Sequence, residues 1–255
     1  MLDSILSAAD LLAEEAMSAM ARYRGEAEAR SDVRSLRHAL SAPGLSLIAE
    51  IKRCSPSAGS IDTDIDPVRL AVAYESGGAD AISVLTETKH FGGSIDDLVA
   101  VRDAVALPVL RKDFTRNEAQ IWEARSAGAD AVLLIVATLS QAMLEDLVAV
   151  ARDVGIDAIV ETHSVVEVER AIAVGADIVG ANNRDLSTFT TDLRVSEMLA
   201  AYIPADVVSI AESGVSSVDG AQRMRSSGYD AILVGEALVR SDDPAAFIAA
   251  LREPP

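Results

Sequence analysis

The stretch SAGADAVLLI, residues 126–135, reads as the end of a helix followed by a strand. Gly128 suits the left-handed position that closes many helices. Asp130 comes next, and then an unbroken apolar run. The same form returns in SGGADAISVL (76–85), AVGADIVGAN (173–182) and SSGYDAILVG (226–235), with a further case at Gly155 in DVGIDAIVET. Helical patterns lie between, at 67–76, 96–105, 118–126, 141–154, 165–174 and 218–226. Short apolar runs predict strands at 47–52, 81–85, 109–113, 131–136, 158–162, 178–182, 207–213 and 232–235.

Strict alternation of strand and helix means parallel sheet, because parallel strands need a crossover between them. Eight such units in about 210 residues fit a closed (β/α)8 TIM barrel. The rival is an open doubly wound sheet. The units are even in length and no G-x-G-x-x-G follows the first strand, which favours the barrel. The expectation is one domain over 1–255, with a helical extension at 1–44 and the barrel at 45–255. In the extension, Leu2, Ile5, Leu6, Ala9, Leu12, Ala16 and Met20 form a helical stripe. RYRGEAEARSDVRSLRHAL continues it as a charged segment, expected to be helical. The extension could close the bottom of the barrel or lie over its top.

Composition narrows the function. The chain has 255 residues, half of them apolar, and a net charge of −18. Such a field repels nucleic acid and anionic lipid, so neither is an expected partner. No apolar run is long enough for a membrane span, and the acidic start does not resemble a secretory signal. The single cysteine, Cys54, excludes an intrachain disulfide and a cysteine metal site. A cytoplasmic location is the expectation. Of 22 basic residues only Lys52, Lys89 and Lys112 are lysines. Lysine can give up its proton where arginine cannot.

Two of those lysines end apolar strands. In IAEIKRCSPSAG (48–59), Ile48, Glu50 and Lys52 share one face. A buried charge must be paired or functional. Other strands end on Lys112, Glu161, Asn182 with Asn183 and Arg184, Glu212 with Ser213 and Gly214, and Gly235. In parallel α/β folds this end carries the active site. Glu50, Lys52, Lys112, Glu161 and Glu212 therefore form a candidate acid–base network. Glycines at the junctions ESGV and VGEAL supply a second signal. Ser213, Gly214, Gly235 and the N–H of Glu236 could cradle a phosphate, provided the Glu236 carboxylate turns away.

IAEIKRCSPSAG, LRKDF, IVETHS, GANNRDL, AESGV and LVGEALVR together resemble indole-3-glycerol-phosphate synthase, in order and at the right strand ends, from about residue 46 onward. The resemblance implies a carboxy-lyase of tryptophan biosynthesis that uses no cofactor and no metal. Its partner would be one small phosphorylated substrate, and the protein a monomer or weak homodimer. It assigns Lys112 as general acid toward a ribulose carbonyl. It leaves the division of labour with Lys52, which would hold a carboxylate, unsettled. Glu161 would stabilise a cationic intermediate or act as base, and Glu50 would tune the lysines. Ser55, Phe91, Asn182, Arg184, Glu212 and Ser213 would bind substrate. The extension would be a lid over the top. Ala58 stands where several relatives carry lysine. Cys54 reads as a loop residue, and Asp113 as structural. His38, His90 and His163 are set aside. Lys89 shares the loop of Phe91 and is a weaker binding candidate. Two rivals are a phosphate-binding isomerase barrel of the same pathway and a barrel without catalysis.

Overall fold

The computed structural model describes residues 2–56 and 59–253; Ala58 lies outside the described residues. The repeat unit builds a closed ring of parallel strands. These are β1 (Ser46–Ile51), β2 (Ala81–Leu85), β3 (Val109–Lys112), β4 (Ala131–Ile135), β5 (Asp157–Thr162), β6 (Ile178–Asn182), β7 (Val208–Glu212) and β8 (Ala231–Val234). Each pairs with its sequence neighbours. The ring closes where Ser46 of β1 stands opposite Ala231 of β8. The observed strand ends fall within a residue of those expected.

Alternation along the strands makes two cores. Leu47, Ala49 and Ile51 face outward into the layer between sheet and helices. Ile48, Leu110, Ile159 and Ile210 face inward and fill the barrel axis. This is a packed interior, not a channel.

The repeated Asp has a structural task. Asp80 accepts the N–H of Leu47 at 2.8 Å, Asp130 that of Val109 at 2.9 Å, and Asp230 that of Ser209 at 2.8 Å. Each carboxylate thus satisfies a backbone donor at the start of the preceding strand. The helices carry local stop and start signals as well. Asn117 and Gln120 form a capping box for the helix Glu118–Ser126. Gly128 (φ 94°) then turns that chain back toward β4.

The extension is not one helix. α1 (Leu2–Glu28) ends, residues 29–35 run irregularly, and α2 (Leu36–Leu40) follows. The expected helix breaks because the barrel bottom claims its backbone. Arg125 donates to the Arg30 carbonyl at 2.8 Å, and Asp130 accepts the Arg34 N–H at 2.8 Å. The buried stripe of α1 also differs from expectation. It runs through Ile5, Ala9, Ala13, Ala16 and Ala27, while Leu12 is 43% exposed. Alanines bring α1 close against the helix Glu118–Ser126.

Both sequence-level readings of the extension hold in part. α1 runs down the outside of the barrel: Asn117 donates to the Ala13 carbonyl at 2.6 Å, and Tyr23 to Glu123 at 2.8 Å. Its first turn reaches the top, where Leu2 and Ile5 line the mouth. α2 plugs the bottom, where Leu36 and Leu40 join the inward-facing core.

Candidate active site

Parity decides which side chains reach the mouth. Glu50, Lys112, Glu161 and Glu212 each sit two residues beyond an inward apolar residue, so they too point inward. They line a cavity of about 460 Å³, a size suited to a small organic ligand. Lys52 Nζ donates to Glu50 Oε1 at 2.7 Å. Lys112 Nζ donates to Glu161 Oε2 at 2.9 Å and to Glu212 Oε2 at 2.6 Å. Gly235 leaves room for this network, since a Cβ there would stand 2.6 Å from Glu50 Oε1.

Three buried carboxylates share two lysines, and their proton affinities separate accordingly. Burial works against the charge of Lys112, but Glu161, Glu212 and Glu50 outweigh it and hold its pKa well above the ordinary lysine range. Burial would raise Glu161, yet Lys112 and then His163 hold it below the usual carboxylate range. Burial raises Glu212; Lys112 opposes and Glu161 adds to it, and the net shift is upward. The two glutamates on Lys112 are therefore unequal. One is a firm carboxylate and the other takes up protons more readily.

The wall after β7 has unusual backbone. Ser213 (φ 64°) and Gly214 (φ 84°) are both left-handed. For Ser213 that conformation costs about 1–2 kcal/mol, and such strain clusters at working sites. Gly235 opens the single-turn helix Glu236–Val239. The Glu236 carboxylate turns onto Arg240 at 3.0 Å, away from its own N–H. Asn182 Oδ1 accepts the Arg184 N–H at 3.0 Å, and Arg184 Nη1 donates to the Phe189 carbonyl at 3.0 Å.

The cavity has apolar lining as well. Phe91 and Phe114 meet with ring centroids 6.4 Å apart, and Leu186, Phe189, Leu2 and Ile5 extend the surface. Glu87 fixes the turn beneath Phe91 by accepting the N–H groups of Lys89, His90 and Phe91.

Every residue singled out for catalysis, substrate or phosphate lies on this cavity, Ser55 included. Lys89 does not; it is exposed. Cys54 sits in the loop after β1, its Sγ 3.4 Å from the His90 carbonyl. Asp113 borders the cavity, but its carboxylate is engaged by Arg111 at 3.3 Å. Sequence reading placed the extension over the top without naming Leu2 and Ile5 as the residues that reach the site, and it missed the pair Leu186 and Phe189 and the support from Glu87. Apolar residues in the polar loop RDLSTF were the available signal for that pair. Among the described residues, no cluster of three or more His, Cys, Asp or Glu could hold a metal ion.

The barrel itself is widely shared. A 3-hexulose-6-phosphate synthase superimposes with a TM-score of 0.65 at 21% identity, covering 82% of this chain and 98% of that one. A thiamine phosphate pyrophosphorylase from Pyrococcus furiosus gives 0.61 at 20% identity, covering 86% and 96%. At that identity the likeness shows the fold alone. Sequence relatives are far nearer. The indole-3-glycerol phosphate synthase of Mycobacterium avium is 47% identical over 252 residues, 98% of this chain and 93% of the relative. That of Mycobacterium tuberculosis is 45% identical over the same shares. The family model for indole-3-glycerol phosphate synthase matches residues 4–251, a span that takes in nearly all of α1, the barrel and every residue named for catalysis, substrate or phosphate. On that match this chain belongs to the indole-3-glycerol phosphate synthase family.

Proposed function

We propose that this chain is an indole-3-glycerol-phosphate synthase and that the lysine–glutamate network at the barrel mouth performs its reaction. The substrate is 1-(2-carboxyphenylamino)-1-deoxyribulose 5-phosphate. The products are indole-3-glycerol phosphate, carbon dioxide and water. The observation that carries the residue roles is Lys112, charged and shared by Glu161 and Glu212, inside a cavity lined in part by apolar side chains and in part by Ser213, Gly214 and Gly235. An aromatic ring fits the first part and a phosphate the second.

Lys112 donates a proton to the ribulose carbonyl oxygen as the ring carbon bearing the carboxylate attacks the carbonyl carbon. A C–C bond forms and the carbonyl becomes a hydroxyl. The C–CO₂ bond then breaks, and its electrons restore the aromatic ring. Lys52, held by Glu50, binds the carboxylate before it leaves. The hydroxyl departs as water with a proton from a lysine, and the ring nitrogen supplies the electrons. Glu161, anionic beside the cationic intermediate, takes the proton from the carbon next to nitrogen. Asn182 and Glu50 hold substrate hydroxyls. Ser213, Gly214, Gly235 and the N–H of Glu236 hold the phosphate, and Arg184 adds positive charge. A placed acid or base contributes roughly 10²–10⁴ in rate.

The same reading makes the protein a cytoplasmic biosynthetic enzyme, one domain acting as a monomer or weak homodimer without nucleic acid. In support, the net charge is −18 and no described helix is long and apolar enough to cross a membrane. The test follows indole fluorescence after adding the substrate to wild type and to Lys112→Ala. The expected result is turnover by wild type and a loss of at least about a hundredfold in the variant. Silence from folded wild type overturns the activity; equal turnover by both moves the acid away from Lys112.

A further inference from the structure

His163 lies just beyond β5 with the same inward parity as Glu161, and it is mostly buried. Its Nε2 stands 3.5 Å from Glu161 Oε1 and has no hydrogen-bond partner. Its Nδ1 is 3.3 Å from Glu167 Oε2, and the same oxygen accepts the His163 backbone N–H at 2.7 Å. The N–H of Glu167 is in turn bonded by Ser164, which caps the helix Val165–Ala173. The ring is thus clamped from behind and aimed at a catalytic carboxylate.

Glu161 and Glu212 differ in what their second oxygen meets. Glu161 gives Oε2 to Lys112 and faces His163 with Oε1. Glu212 gives Oε2 to Lys112, but its Oε1 is buried without a hydrogen-bond partner, pressed toward Gly180. We propose that His163 is a positioning residue for the ring closure: as an imidazolium it keeps Glu161, and not Glu212, the ionised member of the pair on Lys112. The inference rests on the reading of Glu161 as the group that takes the proton from carbon.

The electrostatics agree in sign. The charged groups facing His163 are Glu161 on β5, Glu167 on the next helix, Glu212 on β7 and, across Glu161, Lys112 on β3. Three carboxylates against one ammonium favour a charged ring. Burial works against that charge, but Glu167 and Glu161 outweigh it and the His163 pKa lies above its ordinary value. An opposite charge within about 4–6 Å lowers a carboxyl pKa by roughly 1–3 units. Without His163, Glu161 loses one of the two charges that hold it ionised, Lys112 being the other, and its proton affinity moves toward that of Glu212.

The test is the pH profile of kcat/KM for wild type, His163→Gln and Glu167→Gln on the carboxyphenylamino-deoxyribulose phosphate. In His163→Gln the acid limb moves up by about one pH unit or more, with kcat on the alkaline side within a few-fold of wild type. Glu167→Gln keeps the ring but not its clamp, and moves the limb the same way by less. An active wild type with an unmoved limb in both variants overturns the positioning role alone. So does a uniform loss at every pH, the mark of a merely structural residue. A wild type without turnover overturns the reading beneath and the inference with it. Ring ¹⁵N titration of His163 in the wild type needs no variant to fold. It should show a pKa above the ordinary histidine value, and an ordinary value overturns the proposal; in Glu161→Gln the raised value should fall.

Discussion

Gly180 on β6 lies directly under the carboxylate of Glu212 on β7, so closely that a Cβ there would overlap Glu212 Oε1. The missing side chain is what lets Glu212 lean inward and reach Lys112. Gly180→Ala should push Glu212 off the lysine and lower kcat, by up to about 10² for a displacement near 1 Å. A double-mutant cycle checks the route. If the loss passes through Glu212, adding Gly180→Ala to Glu212→Gln costs almost nothing further. Additive losses would place the effect in the strand itself.

Glu212 also sets a slope in stability against pH. Burial pushes it up to about 7 from an ordinary 4.5, with Lys112 opposing and Glu161 adding to the rise. The folded protein therefore holds this proton more tightly than the unfolded chain. Between about 4.5 and 7 the unfolded state carries fewer protons, so stability falls as pH rises through that window. His163 has the same sign: its contribution is full below the ordinary histidine value and is lost as pH rises through the raised folded value. Glu161 acts oppositely, adding stability above the ordinary glutamate value that is lost as pH falls through the folded one. Glu212→Gln should flatten the slope, gaining more over wild type at pH 8 than at pH 5. Urea unfolding at the two pH values reads this directly, and an equal difference at both would sink it.

At the other end of the barrel, α2 makes a prediction with no catalytic content. Leu36 and Leu40 are fully buried against the inward core below Ile48 and Leu110. Leu40→Ala should cost about 2–5 kcal/mol in denaturant unfolding, as for other buried leucines. The mouth lies at the far end of the strands, so kcat should hold within a factor of two or so. A matching fall in kcat would mean the plug shapes the mouth as well.

The plug shows where sequence reading stops. The barrel was legible because Gly, Asp and an apolar run recur at five of the helix-to-strand junctions, and each has a local physical cause. The mouth was legible because charges at inward strand positions have no other economical explanation. RSLRHAL, by contrast, looks like more charged helix. Only the carboxylates of Asp130 and Asp157, which accept the N–H groups of Arg34 and Arg37, reveal why the chain turns under the barrel. His163 escaped for a related reason. Its parity was visible, but Glu167, four residues on, marks it only once the helix start is folded against it.

The first turn of α1 supplies the last prediction. Ile5 is 1% exposed and lines the cavity together with Leu2, Phe91 and Phe114. Its side chain is apolar and can neither give nor take a proton, so its effect on the chemistry should pass through substrate burial. Ile5→Ala removes apolar contact that an aromatic ring would meet in the ground state and in the transition state alike. Uniform binding of that kind appears in KM and not in kcat. KM should rise by about 5-fold or more, in keeping with roughly 1–3 kcal/mol per lost apolar contact group in a hydrophobic pocket, while kcat changes little. Steady-state kinetics with thermal unfolding in parallel separates this from loss of fold. If kcat falls and KM does not, the turn is holding the catalytic groups themselves, and α1 is part of the machinery that orders the mouth.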